Sequence, residues 1–398
     1  MTSVSQMSAA SREPGPLHRE VQAATRGLDK VLRENAYAGW DPYDALSSKI
    51  VRQCARTPLL RRLVIQGVKR SPINLRVVLR VPKQQHTKGL ALLTSAYSRL
   101  AAADSDGAFA QQAAVLADEL VRRGAPRGSG IGWGYDFDVQ TRWGYYRAGQ
   151  PNAVATAFAG HALIDLSRLT GDDASLEVAR QALGFAIDEL LVSEGDARFF
   201  AYYVGSTTPI HNASMLLAAL AARCGTDEAV SIARRAVEYT LARQQTSGAW
   251  PYGEAPGLGW VDGFHTGYVL WSLATWNSNA RPVATDALRR GLRFYVDRLI
   301  DADGAARATT ERRYPIDVHA AATAVWVLSE LASVLPAAGL AASRVLDWTF
   351  SYLRRDDGRF AFQKHRMYRN SVPYFRWSDA HMLLALSSYA LLEAPDGS

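Results

Sequence analysis

Cysteine is nearly absent from the 398-residue chain: only Cys54 and Cys224 occur, and neither lies in a CxxC or Cys/His cluster. That excludes a disulfide framework and points to buried thiols in a reducing compartment. No run of 18 apolar residues occurs, so no transmembrane helix is expected. The opening MTSVSQMSAASREPGPLHREVQAATRGL lacks an apolar h-region, so no signal peptide is expected and a cytoplasmic location is the default. Alternating Val/Ile/Thr patterns are scarce, which argues against a sheet protein. Acidic residues are missing from one whole segment. Ala45 to Ala103 holds twelve Lys/Arg and no Asp or Glu, +12 against an overall +7, leaving −5 on the rest. A region of one sign favours a polyanion, an acidic membrane surface or assembly machinery at the membrane; a plain solvated basic face is the alternative. No zinc-finger or RNP motif accompanies it, so nucleic acid is not expected.

What is present suits a protein with a sizeable core, at 48% hydrophobic and 21% charged residues. Residues 1–15 read as a disordered leader. Leu17, Val21, Ala24, Leu28 and Leu32 then recur at helical spacing, and residues 16–87 read as a basic helical extension. From residue 88 onward, Ala/Leu-rich stretches alternate with Gly- and aromatic-bearing connectors: Gly132-Trp133, Phe199-Phe200, Gly248-Ala-Trp250, Gly304 and Gly358-Arg-Phe360. The steps from Gly248 to Gly304 and on to Gly358 are 56 and 54 residues, the length of one αα-hairpin with its loops. Six such hairpins predict an all-α protein, an (α/α)6 toroid over residues 88–398. An open solenoid is the competing architecture, and the wide aromatic connectors favour the closed ring.

Gln244-x-x-x-Gly248-x-Trp250 matches the QxxxGxW repeat of triterpene-cyclase and prenyltransferase-type toroids, with Arg354-x-x-x-Gly358-x-Phe360 as a degenerate copy. The resemblance implies a hairpin staple, with Gln on a helix end and Trp on the next repeat. YAGWDPYDALSSK, KRSPINLRVVLRVPKQQHTKGLALLTSAY, GWGYDFDVQTRW, IHNASMLLAAL, GAWPYGEAPGLGWVDGFHTGYVL and YFRWSDAHMLLAL follow in that order. Together, over roughly residues 35–390, they resemble a family of polysaccharide-biosynthesis proteins encoded in exopolysaccharide and capsule gene clusters. PNAVATAFAGHALIDLSRLTGD and FRWSDAHMLLALSSY are also similar to the C-terminal toroid of glucuronyl C5-epimerases. These resemblances imply a pathway more than a reaction.

In a toroid, connectors leading into inner helices border the central depression, where helix N-termini favour anionic groups. Six stretches qualify. They are Asp136, Asp138, Arg142 and Trp143; His211 and Asn212; Glu254, Trp260, Asp262 and His265; Tyr314, Asp317 and His319; Arg366, Tyr368 and Arg369; and Arg376, Trp377, Asp379 and His381. Plainer roles stand beside these. Asp136, Asp262, Asp317 and Asp379 could be N-caps, the histidines structural, and the tryptophans groove fillers. Their coincidence favours a shared pocket: Asp or Asn accompanies His at four junctions, where Ala or Leu would pack better.

Glu254, Asp262, Asp136 and Asp138 form the pool for two-carboxylate glycosidic chemistry. Tyr368, His265 and His381, with Arg366, Arg369 or Arg376, would suit proton abstraction beside a uronic acid carboxylate. Glu254, Asp262, His265, Asp136 and Tyr368 are the catalytic candidates and the others substrate-binding. Neither HExxH nor Cys/His spacing occurs, and no metal or cofactor is expected. The leading expectation is a carbohydrate-active enzyme of hydrolase, lyase or epimerase type, acting on a glycan or acidic polysaccharide. An isoprenoid-binding toroid is second, although Asp317-Val-His319-Ala320 lacks the proton-donating Asp of the cyclase DxDD pattern. A non-catalytic glycan-binding or scaffold protein is third.

Overall fold

The computed structural model describes residues 15–102, 107–195 and 197–392, so residues 1–14 of the expected leader lie outside the described residues. The chain begins with α1 (Pro16–Glu34) and three short helices, α2 (Lys49–Cys54), α3 (Pro58–Arg70) and α4 (Leu75–Val78). Five antiparallel pairs follow: α5 (Thr87–Ala102) with α6 (Ala108–Arg122), α7 (Ala153–Thr170) with α8 (Asp173–Phe185), α9 (His211–Cys224) with α10 (Asp227–Leu241), α11 (Gly263–Asn279) with α12 (Thr285–Leu299), and α13 (Val318–Glu330) with α14 (Pro336–Tyr352). The last helix is α15 (His381–Leu392).

Odd-numbered helices from α5 to α15 pack each on the next, and α15 returns to α5, so the inner ring is closed. Composition explains which helix goes where. Inner helices are apolar or small on every side, and α13 is buried without a break from Val318 to Ser329. Outer helices are one-sided: α12 buries Leu288, Gly291, Leu292, Tyr295 and Leu299 and turns its arginines outward.

The sixth outer helix is α1. It packs on α15, and Val21, Ala24, Leu28 and Leu32 belong to the same core as the ring. The boundary expected at residue 88 is therefore corrected: α1 completes the toroid, and only the segment between α1 and α5 is an addition. The apolar stripe of α1 is buried against α15, which supplies the partner that a one-sided helix needs.

The QxxxGxW staple is visible in atomic detail. Gln244 Nε2 donates to the Gly248 carbonyl (3.0 Å) and to that of Ala287 on α12 (2.9 Å), while Arg290 donates to Gln244 Oε1. Trp250 Nε1 caps the end of α10 at the Thr240 carbonyl, and its ring lies where a Cβ on Gly291 would stand. Gly248 has φ +94°, and an ideal Cβ there would lie 2.6 Å from the Arg290 carbonyl. The device recurs from each outer helix to the next: Gly304 sits against Arg344 of α14, and Gly358 against Gly27 of α1. In the degenerate copy Arg354 reaches Glu20 of α1 instead. That contact staples the ring shut across the chain ends.

Short hairpins decorate the connectors: β1 (Ala125–Arg127) with β2 (Gly130–Gly132), β3 (Val139–Gln140) with β4 (Tyr145–Tyr146), and β5 (Leu191–Glu194) with β6 (Ala197–Phe200). A three-stranded edge joins β7 (Ile316–Asp317), β8 (Gln363–Lys364) and β9 (Arg369–Asn370). Helices α2 to α4 share a small core of their own, built on Leu46, Val51, Ile65 and Val68. They lie between the β3–β4 hairpin, where Arg61 covers the Tyr145 ring, and β9, where Asn370 Nδ2 donates to the Ser71 carbonyl. Among the described residues no helix is long and apolar enough to cross a membrane.

Candidate functional site

The N-terminal ends of the inner helices converge on one end of the ring, and most of the expected aspartates cap them. Asp136 accepts from the Thr87 amide at the start of α5 and pairs with Arg123 (2.8 Å). Asp262 accepts from the His265 amide of α11, and Asp317 from the His319 amide of α13. Asp379, inside the π turn Phe375–Ala380 that leads into α15, accepts twice from Arg359 at one oxygen, Oδ2. Capping and pairing thus account for these four carboxylates.

The centre of the ring belongs to imidazoles. Tyr268 of α11 places its hydroxyl 2.7 Å from His319 Nε2, 3.2 Å from His381 Nε2 and 3.2 Å from Lys88 Nζ. All four side chains are buried. His381 Nδ1 faces the Arg376 carbonyl at 2.5 Å, so it is the protonated nitrogen, and Nε2 is left to accept. Tyr268 then donates to His381, and His319 Nε2–H donates to the Tyr268 oxygen. His319 Nδ1 is left as a buried lone pair without a partner. Burial holds the imidazoles of His319 and His381 well below the ordinary range, reinforced by His381 at the former and by Lys88 at the latter. Burial likewise keeps the Tyr268 hydroxyl protonated, and it pushes the Lys88 amine well down, assisted by nearby Arg376. Among the described residues Lys88 makes no ion pair; its head stands over the Phe158 ring at 4.2 Å.

A second hydrogen-bonded unit lies at the start of the same helix. His265 Nδ1 bonds Asp262 Oδ2 at 2.6 Å, and Trp260 Nε1 donates to the same oxygen. The carboxylate holds Nδ1 and turns His265 Nε2 away from Asp262, on a ring that is 21% exposed. The ring of His265 lies 6.5 Å from that of Tyr268, with Phe264 in contact with both His265 and His319. Stacked aromatics lead outward from it: Tyr252 on Trp260 at 4.6 Å, then Trp143 at 6.3 Å. Asn212 closes this side with an unpartnered buried Oδ1, beside a void of about 10 Å³ lined also by Tyr252, Asp262, His265 and Thr266.

Trp377 donates to Asp317 Oδ1 and packs on His319, whose ring is 4.2 Å away. Arg376 is locked to buried Asp41 at 2.7 Å. Tyr43 and Lys69, from the segment between α1 and α5, cover Trp377 from outside, and Arg76 bonds both Asp44 and Tyr374. Helices α2 to α4 therefore form a cover over the mouth of the ring.

Other expected residues stand away from this centre. Glu254 pairs with Arg243 and lies 3.5 Å from His211 Nε2, whose ring burial lowers to a pKa of about 4. Asp138 holds the β3–β4 hairpin through Tyr145 and the Ala148 amide. Arg142 donates to the Gly257 carbonyl and stands over the Trp143 ring. Arg366, Tyr368 and Arg369 lie on the exposed β8–β9 hairpin, with Tyr368 stacked on His365. Tyr368, expected as a catalytic residue, stands at the tip of this hairpin, 45% exposed, and among the described residues no hydrogen bond or ring contact joins it to Tyr268, His319 or His381. The pairing of Arg376 with Asp41 also removes it as a free counterion.

Lys88, Tyr268 and Asp41 escape the sequence reading. Tyr268 lies three residues after His265, one helical turn on, and Lys88 is a lone charge opening the apolar run GLALL; both spacings were available as signals.

No family model matches the chain, and no curated protein matches it in sequence. Solved structures do match. A cellobiose 2-epimerase from Bacillus thermoamylovorans is 13% identical with a TM-score of 0.58, over 77% of this chain and 90% of that one. The GH76 α-mannanase BT2949 of Bacteroides thetaiotaomicron is 11% identical with a TM-score of 0.61, over 79% and 88%. An unsaturated glucuronyl hydrolase specific for heparin is 12% identical with a TM-score of 0.59, over 95% and 97%. At these identities the likeness is one of architecture, and the chain is an all-α (α/α)6 toroid.

Proposed function

We propose that the protein is a carbohydrate-active enzyme of polysaccharide biosynthesis or modification that moves a proton at a sugar carbon, as an epimerase or lyase does. One observation supports this over two-carboxylate hydrolysis. The carboxylates near the mouth are engaged as caps or ion pairs, whereas the centre holds neutral imidazoles and a lysine without a counterion. A buried ammonium without a counterion is costly, so burial holds Lys88 toward the neutral amine, and the negative charge of an acidic sugar or a developing enolate would favour its protonated form. The resemblance to polysaccharide-biosynthesis proteins supports the pathway. The matched structures, a cellobiose 2-epimerase, an α-mannanase and an unsaturated glucuronyl hydrolase, support the substrate class.

In this reading His265, oriented by Asp262, takes the proton from carbon, and Lys88 stabilises the enolate oxygen. The His319–Tyr268–His381 relay delivers a proton from the other side. Return to the same carbon gives the epimer; loss of the glycosidic oxygen to that proton gives an unsaturated product. A void of about 10 Å³ is far smaller than a sugar ring, so turnover requires the connectors that line it, around Tyr252 and Trp260, to move. The QxxxGxW staple is explained by the joining of α10 to α12, which leaves the isoprenoid reading without a motif of its own.

Product analysis on acidic and neutral oligosaccharides tests this. Inverted stereocentres or a new double bond are expected. New reducing ends with neither would contradict the proposal, as would tight glycan binding without turnover, the scaffold outcome.

A further inference from the structure

The cover has a second face, and it is unlike the rest of the surface. Leu59, Leu60 and Leu63 project from α3, Ile73 precedes α4, and Val77 and Val78 end it, with exposures between 43% and 76%. Leu59 and Leu63 share one helix face, as do Leu60 and Leu63. Lys49, Arg52, Arg56, Arg62, Arg70 and Arg80 are exposed among them, and no acidic residue occurs between Ala45 and Ala103. The small core of α2 to α4 holds these groups on one body, whose inner side packs over the ring.

We infer that this face docks the protein on the surface of an anionic lipid bilayer, whatever chemistry the ring performs. Exposed aliphatic side chains interspersed with Lys/Arg suit the headgroup boundary: the chains enter the acyl region and the cations meet lipid phosphates. A second copy of this chain fits worse, because two faces lacking any acidic residue would set like charges against each other. The contact is interfacial, since none of these helices is long enough to span.

Flotation of the purified full chain with vesicles tests it, using phosphatidylcholine alone and phosphatidylcholine mixed with phosphatidylglycerol. Binding is expected to the mixed vesicles only and to weaken as salt rises. Leu59→Ser/Leu63→Ser and, separately, Arg52→Ser/Arg56→Ser should each weaken it at least about tenfold with an unchanged melting curve, because those side chains are exposed. Absence of binding to either vesicle overturns the inference. So does equal binding to both, or full binding by the leucine variant. A dimer in sedimentation that the leucine variant dissolves, with no vesicle binding, assigns the face to a second copy instead.

Discussion

Asp262 shows how a single side chain can both cap a helix and hold an imidazole. Its Oδ1 accepts the His265 amide while Oδ2 holds the His265 ring. Asp262→Asn keeps a good N-cap but loses the charge that orients the imidazole. Stability should therefore change by less than about 0.5 kcal/mol, while turnover falls by about 10²-fold or more. An unchanged rate would reduce Asp262 to a cap. Five buried histidines, His86, His161, His211, His319 and His381, all have their pKa lowered by burial from 6.5. A depressed histidine contributes stability that is complete above the unfolded pKa and is lost as pH falls below it. The raised carboxyls of Asp44, Asp317 and Asp379 act oppositely over the same window but are fewer. Stability should fall between about pH 6.5 and 4, above the ordinary carboxylate range, measured as the urea midpoint against pH. A flat profile there would contradict the buried neutral imidazoles. At this scale the sequence revealed the histidines, because four of them recur beside inner-helix starts. It could not reveal that Arg376 is neutralised, since Asp41 lies 335 positions away.

Among the elements, the staples were the most legible, because Gln, Gly and Trp each serve a local geometric need. Gly248 adopts a left-handed φ against the Arg290 carbonyl. Gly248→Ala should cost about 2 kcal/mol or more, and Gln244→Ala about 1–2 kcal/mol, through the lost bonds to the Gly248 and Ala287 carbonyls and to Arg290. Denaturant titration measures both; two neutral substitutions would leave the motif without a structural role. The cover was legible only as charge. Its place over the mouth depends on contacts such as Tyr43 with Trp377 and Arg76 with Tyr374, which join distant parts of the chain and leave no local pattern. Tyr368 misled for a related reason: a Tyr between arginines looks chemical, yet its hairpin, paired with Ile316–Asp317, leaves it 45% exposed.

For the whole molecule, the repeat period gave the six-hairpin ring, but it did not show that the first helix closes it. An outer helix supplied from the opposite terminus has no sequence neighbour to reveal its partner. Leu28→Ala, fully buried in α1 within the ring core, should cost about 2–5 kcal/mol in a single unfolding transition. An appended arm would show no such loss. The account turns on what the ring centre does to a sugar. The most direct measurement is turnover in D2O with the wild type and Tyr268→Phe, a substitution that removes only the hydroxyl linking Lys88, His319 and His381. The proposed chemistry predicts solvent deuterium at an inverted sugar carbon or a new carbon–carbon double bond, and a rate lower by about 10²–10⁴-fold in the variant with the fold intact. Product carrying solvent oxygen at a new reducing end and no carbon-bound deuterium would contradict it.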